Sequence, residues 1–164
     1  MVISIYGGSG SGKTTLATAL QQYFLNDGRG CYLLSGDDYP HRIPKRNDEE
    51  RLRVYKEAGE DGLRGYLGTK KEIDFARINE VLAAFHEGKD TITLRHLERE
   101  DGEISSEETD FSGTSVLLLE WTHGGSDDLH GVDLSVFLES SPEETKERRI
   151  RRNRDENAAS PFIC

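Results

Sequence analysis

The sequence predicts an α/β fold, a three-layer sandwich in which a mainly parallel sheet carries helices on both faces. Apolar runs of strand length occur at positions 2–6, 31–34, 116–119 and 132–138. Segments with apolar residues at helical spacing lie between them, and strands that alternate with helices form parallel sheets. With 164 residues, the chain is long enough for one such domain and too short for two.

The first apolar run leads directly into a glycine-rich segment, GGSGSGKT at 7–14, and a helical pattern then extends from Leu16 to Phe24. In this arrangement, successive backbone N–H groups converge on phosphate oxygens at a helix N-terminus. The segment predicts a nucleoside-triphosphate site of the P-loop NTPase type, against the alternative of a turn that merely links strand and helix. The predicted nucleotide-binding residues are Gly8, Ser9, Gly10, Ser11, Gly12, Lys13, Thr14 and Thr15.

Side chains around this segment have expected roles at the phosphates. Lys13 would reach the β- and γ-phosphates, Thr15 the α-phosphate, and the Thr14 hydroxyl would ligate Mg²⁺. Glu120 ends the third apolar run, where an unpaired buried carboxylate would be costly. We expect it to face Mg²⁺-bound water or a cation, or otherwise to pair with a surface lysine. His123 lies near phosphate or substrate in one interpretation and is a plain loop histidine in the other.

Two carboxylates, Asp37 and Asp38, follow the second apolar run. In open α/β sheets, ligands bind at the edge formed by the C-terminal ends of the strands, which is where these side chains are expected. The polar stretch after them contains Pro40, Pro44 and several glycines. It predicts short helices and loops rather than sheet, forming a flap at about 38–72.

An amphipathic helix is predicted next, because apolar residues recur at helical spacing from Ile73 to Phe85. A small hairpin is expected at about 91–112, with its turn at Asp101-Gly102. The acidic run at 98–110 is interpreted as a solvated hairpin edge or loop.

A late helix is predicted at about 141–157, because Ser141-Pro142-Glu143-Glu144 combines a capping serine, a proline at the first helical position and a glutamate three residues after the cap. Arginines crowd this segment, and glutamates four residues earlier give a solvated, salt-bridged face as an alternative for two of them.

The chain stops at Cys164 without the further strand that a doubly wound sheet normally contains. Whether the chain is a truncated or fused fragment is therefore left open.

Composition excludes several classes of function. The formal charge of −10 argues against nucleic acid as the main partner, because such binders usually carry a broad basic face. No apolar stretch approaches a membrane span, and the N-terminus lacks the pattern of a signal peptide. Cys31 and Cys164 have no disulfide or metal spacing. We therefore expect a protein of the reducing cytoplasm that binds neither nucleic acid nor membrane, with homo-oligomerisation left open.

Four segments in the same order now resemble one family, the uridine kinase and phosphoribulokinase-like P-loop kinases. They are GGSGSGKTT at 7–15, SGDDYPHR at 35–42, LLLEWTHGG at 117–125 and RRIRRNRD at 148–155. The helix at 72–89 is similar to the one that precedes the family's substrate-binding hairpin. Two positions depart from the family: Asp38 replaces the usual serine, and Trp121 stands where glycine often follows the acidic residue.

The resemblance implies an ATP- and Mg²⁺-dependent kinase that transfers the γ-phosphoryl group to a hydroxyl of a small molecule, with nucleosides and phosphosugars ahead of free sugars and sugar acids. Asp37 then becomes the predicted base or metal-linked carboxylate, with a capping role as the alternative. The late helix becomes a lid whose arginines contact phosphate. The catalytic candidates are Asp37, Lys13, Arg148, Arg149 and Arg152. The metal candidates are Thr14, Glu120 and Asp37.

The acceptor site is expected in the flap and hairpin. Its candidates are Asp38, Tyr39, His41, Arg42, Arg95, His96 and His123. Tyr39 or Trp121 would stack on a base or sugar face. The Gly-Asp and His41 pattern is also similar to small sugar-acid kinases and adenylylsulfate kinases. A nucleotide-binding regulatory module stays as the alternative from a different class, although the chain lacks the guanine-reading Asn-Lys-x-Asp motif of GTPase switches.

Overall fold

A computed structural model describes residues 1–97, 103–141 and 143. The elements in chain order are β1 (Val2–Gly7), α1 (Lys13–Asn26), β2 (Gly30–Ser35), α2 (Pro44–Arg64), α3 (Phe75–His86), β3 (Thr91–Leu97), β4 (Ile104–Asp110), β5 (Thr114–Trp121) and β6 (Leu134–Leu138). Four strands form a parallel sheet in the order β2-β5-β1-β6. The predicted α/β fold is confirmed, with β2 slightly longer and β6 slightly shorter than the sequence indicated.

Side chains of the central strands alternate between the two faces of the sheet, because neighbouring residues of a strand point in opposite directions. On one face, Ile3 and Ile5 of β1 pack with Val116 and Leu118 of β5 against α1. The other face belongs to a second core, which includes Leu117 and α3. Both faces of β5 are therefore apolar, which explains its continuous hydrophobic run.

The second core extends from the sheet through α3 to the hairpin of β3 and β4. Asp74 caps α3, since its carboxylate accepts a hydrogen bond of 3.1 Å from the Arg77 backbone N–H. Ile92 and Leu94 of β3 are buried in this core, whereas β4 is almost entirely exposed. The hairpin prediction is confirmed for its two strands, and its predicted turn at 101–102 lies outside the described residues.

The region of the predicted flap contains helices and loops rather than sheet, as the sequence predicts, and its main element, α2, consists of two helical stretches that meet at a kink. α2 covers 21 residues and is interrupted at Gly59, whose φ of 65° is not helical. Pro44 sits in its first turn, where a missing N–H costs nothing. Arg53 bonds Glu50 and Glu57, one turn before and after it. Such charge pairs support a helix that lacks a continuous apolar stripe, which is why hydrophobic spacing did not reveal it.

Among the described helices, none is both long and apolar enough to cross a bilayer.

Candidate active site

The segment between β1 and α1 has the backbone of a phosphate cradle. Gly7, Gly10 and Gly12 have φ values of 147°, 84° and 101°, a region that L side chains rarely adopt. A Cβ on Gly7 would also overlap the carbonyl oxygen of Leu138. Within the described part of the chain, no side chain caps the start of α1. The N–H groups of its first turn are therefore suited to an anion at the positive end of the helix dipole.

Lys13 brings a positive charge to the same place. Only 7% of this residue is exposed, and its Nζ donates to the carbonyl oxygens of Gly7 and Gly8 at 3.1 and 3.0 Å. The ammonium is thus held within the glycine-rich loop by that loop's own backbone. A cradle of N–H groups with a lysine in it fits the phosphates of a nucleoside triphosphate.

The sheet brings the two predicted carboxylates to the edge that carries the phosphate loop. In the register of the strands, Glu120 lies opposite Ile5 of β1 on one side and Ser35 of β2 on the other. Asp37 is exposed in a short 3-10 turn directly after β2. A Cβ on Gly36 would overlap the Trp121 indole, so the close approach of this turn to β5 requires glycine.

A metal site made by protein side chains alone is not seen in the described residues, since no three His, Cys, Asp or Glu side chains converge. This agrees with the usual way in which Mg²⁺ is bound in such enzymes, through one or two protein groups, water and substrate phosphates. The metal-binding roles of Thr14, Glu120 and Asp37 stay predictions.

A cleft of about 210 Å³ opens beside Asp37. The side chains that give it chemical character are Asp37, Arg42, Asn47, Arg51, Glu72 and His123. They come from three separate parts of the chain: the turn after β2 with α2, the loop before α3, and the loop after β5. A larger groove of about 430 Å³ lies between α3 and β3, but no predicted site residue is among the described residues that line it.

Glu72 lies in the wall of this cleft and accepts hydrogen bonds from three residues. Only 1% of Glu72 is exposed. Its Oε1 accepts from Asn47 Nδ2 at 3.0 Å and from Arg51 Nε at 2.6 Å, while its Oε2 accepts from the Gly68 backbone N–H at 2.7 Å. Arg51 Nη2 lies 2.6 Å from the same Oε1. A carboxylate withdrawn from water is costly unless a cation and further donors compensate it, and this one has both.

His123 lies between the cleft and the phosphate loop. The loop that carries it packs tightly on β1, because Ser4 Oγ donates to the Gly124 carbonyl at 2.8 Å and a Cβ on Gly125 would overlap the Tyr6 ring. On its other side, a Cβ on Gly68 would come within 2.7 Å of the His123 ring. The two glycines of the sequence THGG therefore place this histidine.

Burial lowers the pKa of His123, and the carboxylates of Glu72 and Asp37 oppose that shift. The positive charges of Arg51 and Lys13 lower the pKa further. The phosphate loop and the cleft lie at the same edge of the sheet, because the loop follows β1 and Asp37 follows β2 in one parallel sheet.

Three of the predicted site residues outside the phosphate loop line the cleft: Asp37, Arg42 and His123. Asp38 and His96 lie near each other at 4.0 Å, and His96 also approaches Glu107 at 3.6 Å, but neither Asp38 nor His96 lines the cleft. The ring of His41 contacts the Lys70 carbonyl at 2.9 Å and lines a different groove.

The stacking role predicted for Tyr39 and Trp121 is wrong. Tyr39 is 0% exposed and Trp121 is 1% exposed, and both belong to the core beneath α3. The Trp121 ring lies 5.4 Å from that of Phe75. Arg95 is also directed inward, since its Nη1 lies 3.3 Å from Asp74 Oδ2 and its side chain is largely buried. Tyr39 and Arg95 do not line the cleft, and Trp121 lines it with only 1% of its surface exposed.

Asn47, Arg51 and Glu72 line the cleft but were not among the site residues predicted from the sequence. Asn47 and Arg51 are four residues apart on α2, a spacing that puts both on one helix face and could have signalled them once the helix was recognised. Glu72 looks like any polar residue before a helix. The lid arginines Arg148, Arg149 and Arg152 lie outside the described residues.

A parallel sheet with a phosphate loop after its first strand, and carboxylates at the same edge beside a polar cleft, defines a P-loop kinase, a phosphotransferase with an alcohol group as acceptor. Residues 2–160 match the model of the phosphoribulokinase / uridine kinase family, and the chain belongs to that family. The resemblance inferred from the sequence is confirmed. Kinases of this family use ATP, generally with Mg²⁺.

The chain is also similar to a kinase-containing protein in sequence and to solved structures in fold. The chain is 92% identical, over all of its 164 residues, to the bifunctional alpha-galactosidase/sucrose kinase AgaSK of Mediterraneibacter gnavus, and it spans 18% of that protein's length. Two solved structures share the fold. A protein assigned as a fructose transport system kinase of Silicibacter sp. TM1040 gives a TM-score of 0.67 at 20% identity, covering 93% of this chain and 71% of that one. Phosphoribulokinase from Rhodobacter spheroides gives 0.64 at 18% identity, covering 83% and 50%.

Proposed function

We propose that this chain is the kinase domain of a sugar kinase, which transfers the γ-phosphoryl group of ATP to a hydroxyl of sucrose or a closely related sugar. One observation carries the proposal: the cleft that contains Asp37 lies at the same edge of the parallel sheet as the phosphate loop. The choice of sugar is supported by the relative of 92% identity, whose name includes sucrose kinase. Because the kinase family model covers residues 2–160, the matched part of that relative is its kinase part.

The chemistry of the cleft favours a polyhydroxylated acceptor over a nucleoside. Its polar lining mixes acceptors, such as Asp37 and Asp48, with donors, such as Asn47 and Arg51. Sugar hydroxyls both donate and accept, so they suit such a lining. A nucleobase would need an exposed ring face for stacking, but the aromatic side chain in the described lining, Trp121, is buried in the core. We therefore place sugars ahead of the nucleosides and phosphosugars that the sequence favoured.

Asp37 is the proposed general base. It would accept the proton of the acceptor hydroxyl while that oxygen forms a bond to the γ-phosphorus and the bond from phosphorus to the leaving ADP oxygen breaks. General-base help of this kind is typically worth about 10²–10⁴-fold in rate. Lys13 would neutralise charge on the transferred group, and the first-turn N–H groups of α1 would hold the phosphates.

Thr14 and Glu120 are the proposed residues on the metal side. The Thr14 hydroxyl would bind Mg²⁺ directly, and Glu120 would act through metal-bound water. When bound with ATP, the ion would supply positive charge that offsets the negative charge of the phosphates.

The direct test is ADP formation from Mg-ATP with a panel of acceptors: sucrose, its component hexoses, sugar acids, nucleosides and phosphosugars, with ATP alone as control. We expect turnover to depend on acceptor and to be fastest with sucrose. Faster turnover with a nucleoside would contradict the sugar assignment. Tight ATP binding with no acceptor effect would contradict the kinase and favour a nucleotide-binding regulatory module.

A further inference from the structure

We infer that Arg51, held in a fixed orientation by the buried Glu72, binds neighbouring hydroxyl groups of the acceptor and determines which acceptor the cleft takes, an inference that rests on the proposed function. Neither residue was among the predicted site residues, and Arg51 belongs to α2 rather than to the segments that carry the phosphate loop or Asp37.

Arg51 is partly exposed, whereas its partner Glu72 is buried. Arg51 is one of the lining residues of the cleft, and 30% of its side chain is exposed, while its partner Glu72 has a side chain that is 1% exposed. The guanidinium therefore lies between a buried anion and the solvent-filled cleft. The buried carboxylate anchors the arginine from behind, and the exposed 30% of the side chain is the part that a ligand in the cleft can reach.

Contacts with two carboxylates orient the guanidinium of Arg51. Nε and Nη2 of Arg51 both lie 2.6 Å from Glu72 Oε1, so one edge of the planar guanidinium is fixed. Nη1 lies 3.3 Å from Asp48 Oδ1 on the side toward solvent. Glu72 is itself fixed by Asn47 and by the Gly68 backbone N–H. These contacts use one N–H on each guanidinium nitrogen, so one N–H on Nη1 and one on Nη2 remain for a ligand. A donor pair that is already held in place loses little entropy when it binds two oxygens.

The position of the Arg51–Glu72 ion pair distinguishes ligand recognition from a purely structural role. A buried ion pair is often no more stabilising than apolar residues of the same size, so stability alone is a poor reason for placing one here. Arg53, two residues along the same helix, shows the ordinary arrangement: it is exposed and bonds Glu50 and Glu57 on the surface. Arg51 instead lines the cleft that contains the proposed base.

The ligand that fits is a neutral carbohydrate with adjacent hydroxyl groups. Neighbouring hydroxyl oxygens can accept from two N–H groups of one guanidinium, and the sugar's own O–H groups can donate to Asp48 or Asp37. The carboxylates beside Arg51 would repel a phosphorylated acceptor, because like charges at short range disfavour each other. Arg51 is thus a specificity-determining residue for an uncharged acceptor.

The test compares Arg51→Gln with Arg51→Lys and with the control Arg53→Gln, measuring KM for acceptor and for ATP, kcat and melting temperature. We expect Arg51→Gln to raise the acceptor KM roughly 10- to 100-fold, the range for a hydrogen bond to a charged group, with ATP KM unchanged. Arg51→Lys keeps the charge beside Glu72 but loses the fork, so its acceptor KM should be intermediate. Arg53→Gln should match the native chain in both KM values.

A second variant, Glu72→Gln, keeps Arg51 and removes its anchor, so it should raise the acceptor KM as well. An unchanged acceptor KM in Arg51→Gln would overturn the inference while leaving the proposed function intact. Equal rises in acceptor and ATP KM, with a lower melting temperature and no rescue by lysine, would show a structural role and also overturn it. If the native chain forms no acceptor-dependent ADP with any acceptor, the proposed function and this inference fail together.

Discussion

The phosphate loop and the proposed acceptor cleft lie at the same edge of one sheet, but the loop is built from backbone groups and the cleft from side chains. The loop is eight consecutive residues whose function depends on backbone conformation, with three glycines at positive φ and a lysine held by loop carbonyls. The cleft is built from side chains of three distant segments, and the hydrogen bond from Asn47 to Glu72 joins residues that are 25 positions apart. A backbone site is nearly independent of what surrounds it, whereas a side-chain site exists only after folding.

This difference should divide the effects of substitutions. Changes in the loop should alter nucleotide binding whatever the acceptor, and changes in the cleft should alter the acceptor alone. His123 is affected by both regions, because it lines the cleft and the charges of both Lys13 and Asp37 influence its pKa.

The largest effect is expected for Lys13→Ala, which removes the positive charge of the loop. We predict that kcat/KM for ATP falls by about 10³ or more, because that charge contributes to binding and to stabilising the transition state. Steady-state kinetics and ATP titration measure the change. Lys89→Ala, at an exposed lysine paired with Glu87, serves as the control. Normal ATP affinity in Lys13→Ala would count against the site itself.

The next effect is expected for Asp37→Asn, which tests the cleft side of the comparison. We predict a loss in turnover of at least about a hundredfold with ATP binding unchanged, since an amide cannot accept the proton. Asp38→Asn should lose much less, because Asp38 does not line the cleft. Unchanged turnover in Asp37→Asn would exclude this residue as the base.

A smaller effect is expected for Gly36→Ala, because the turn after β2 packs closely against Trp121 of β5. The added methyl group would overlap the Trp121 indole, so we predict destabilisation of about 1–3 kcal/mol, seen as a lower melting temperature. Gly65→Ala is the matched control, because its new Cβ would meet neighbours at an ordinary 3.6 Å. Equal melting temperatures for the two variants would show that the turn after β2 tolerates movement.

The smallest effect is expected for the pH dependence of stability through His123. Burial lowers its pKa from the ordinary 6.5, so below about pH 6.5 the unfolded chain binds a proton that the folded chain resists. Stability from this group is therefore present at higher pH and is lost as pH falls from 6.5 toward the lowered pKa. We predict that the melting temperature of His123→Asn declines less between pH 7.5 and 5.5 than that of the native chain; an identical decline would refute the assignment.

The conformation of the phosphate loop could be predicted because its information is contiguous. Gly7 to Thr14 lie between a strand and a helix, so motif and context can be recognised in one window. The lining of the cleft was predicted only in part. Asp37 and His123 follow strands, and strand ends meet at one edge, whereas Asn47, Arg51 and Glu72 look like surface residues until α2 packs against the loop before α3.

The errors over Tyr39 and Trp121 have a physical cause. An aromatic residue beside a motif looks the same in sequence whether it faces a ligand or the core. For Trp121, strand alternation offered a signal: Leu117, Leu119 and Trp121 are two residues apart on β5 and share the buried face beneath α3. Tyr39 lies in a turn, where no such period applies, and only the packed structure shows its burial.

The buried carboxylate of Glu72 also constrains how acceptor preference can evolve. Replacing Arg51 alone would leave an uncompensated anion in the interior, which typically costs about 3–5 kcal/mol. A lineage that drifts toward another acceptor therefore cannot easily pass through that single change. Across descendants of a common ancestor, positions 51 and 72 should be exchanged together or kept together, while the phosphate loop stays constant beneath them.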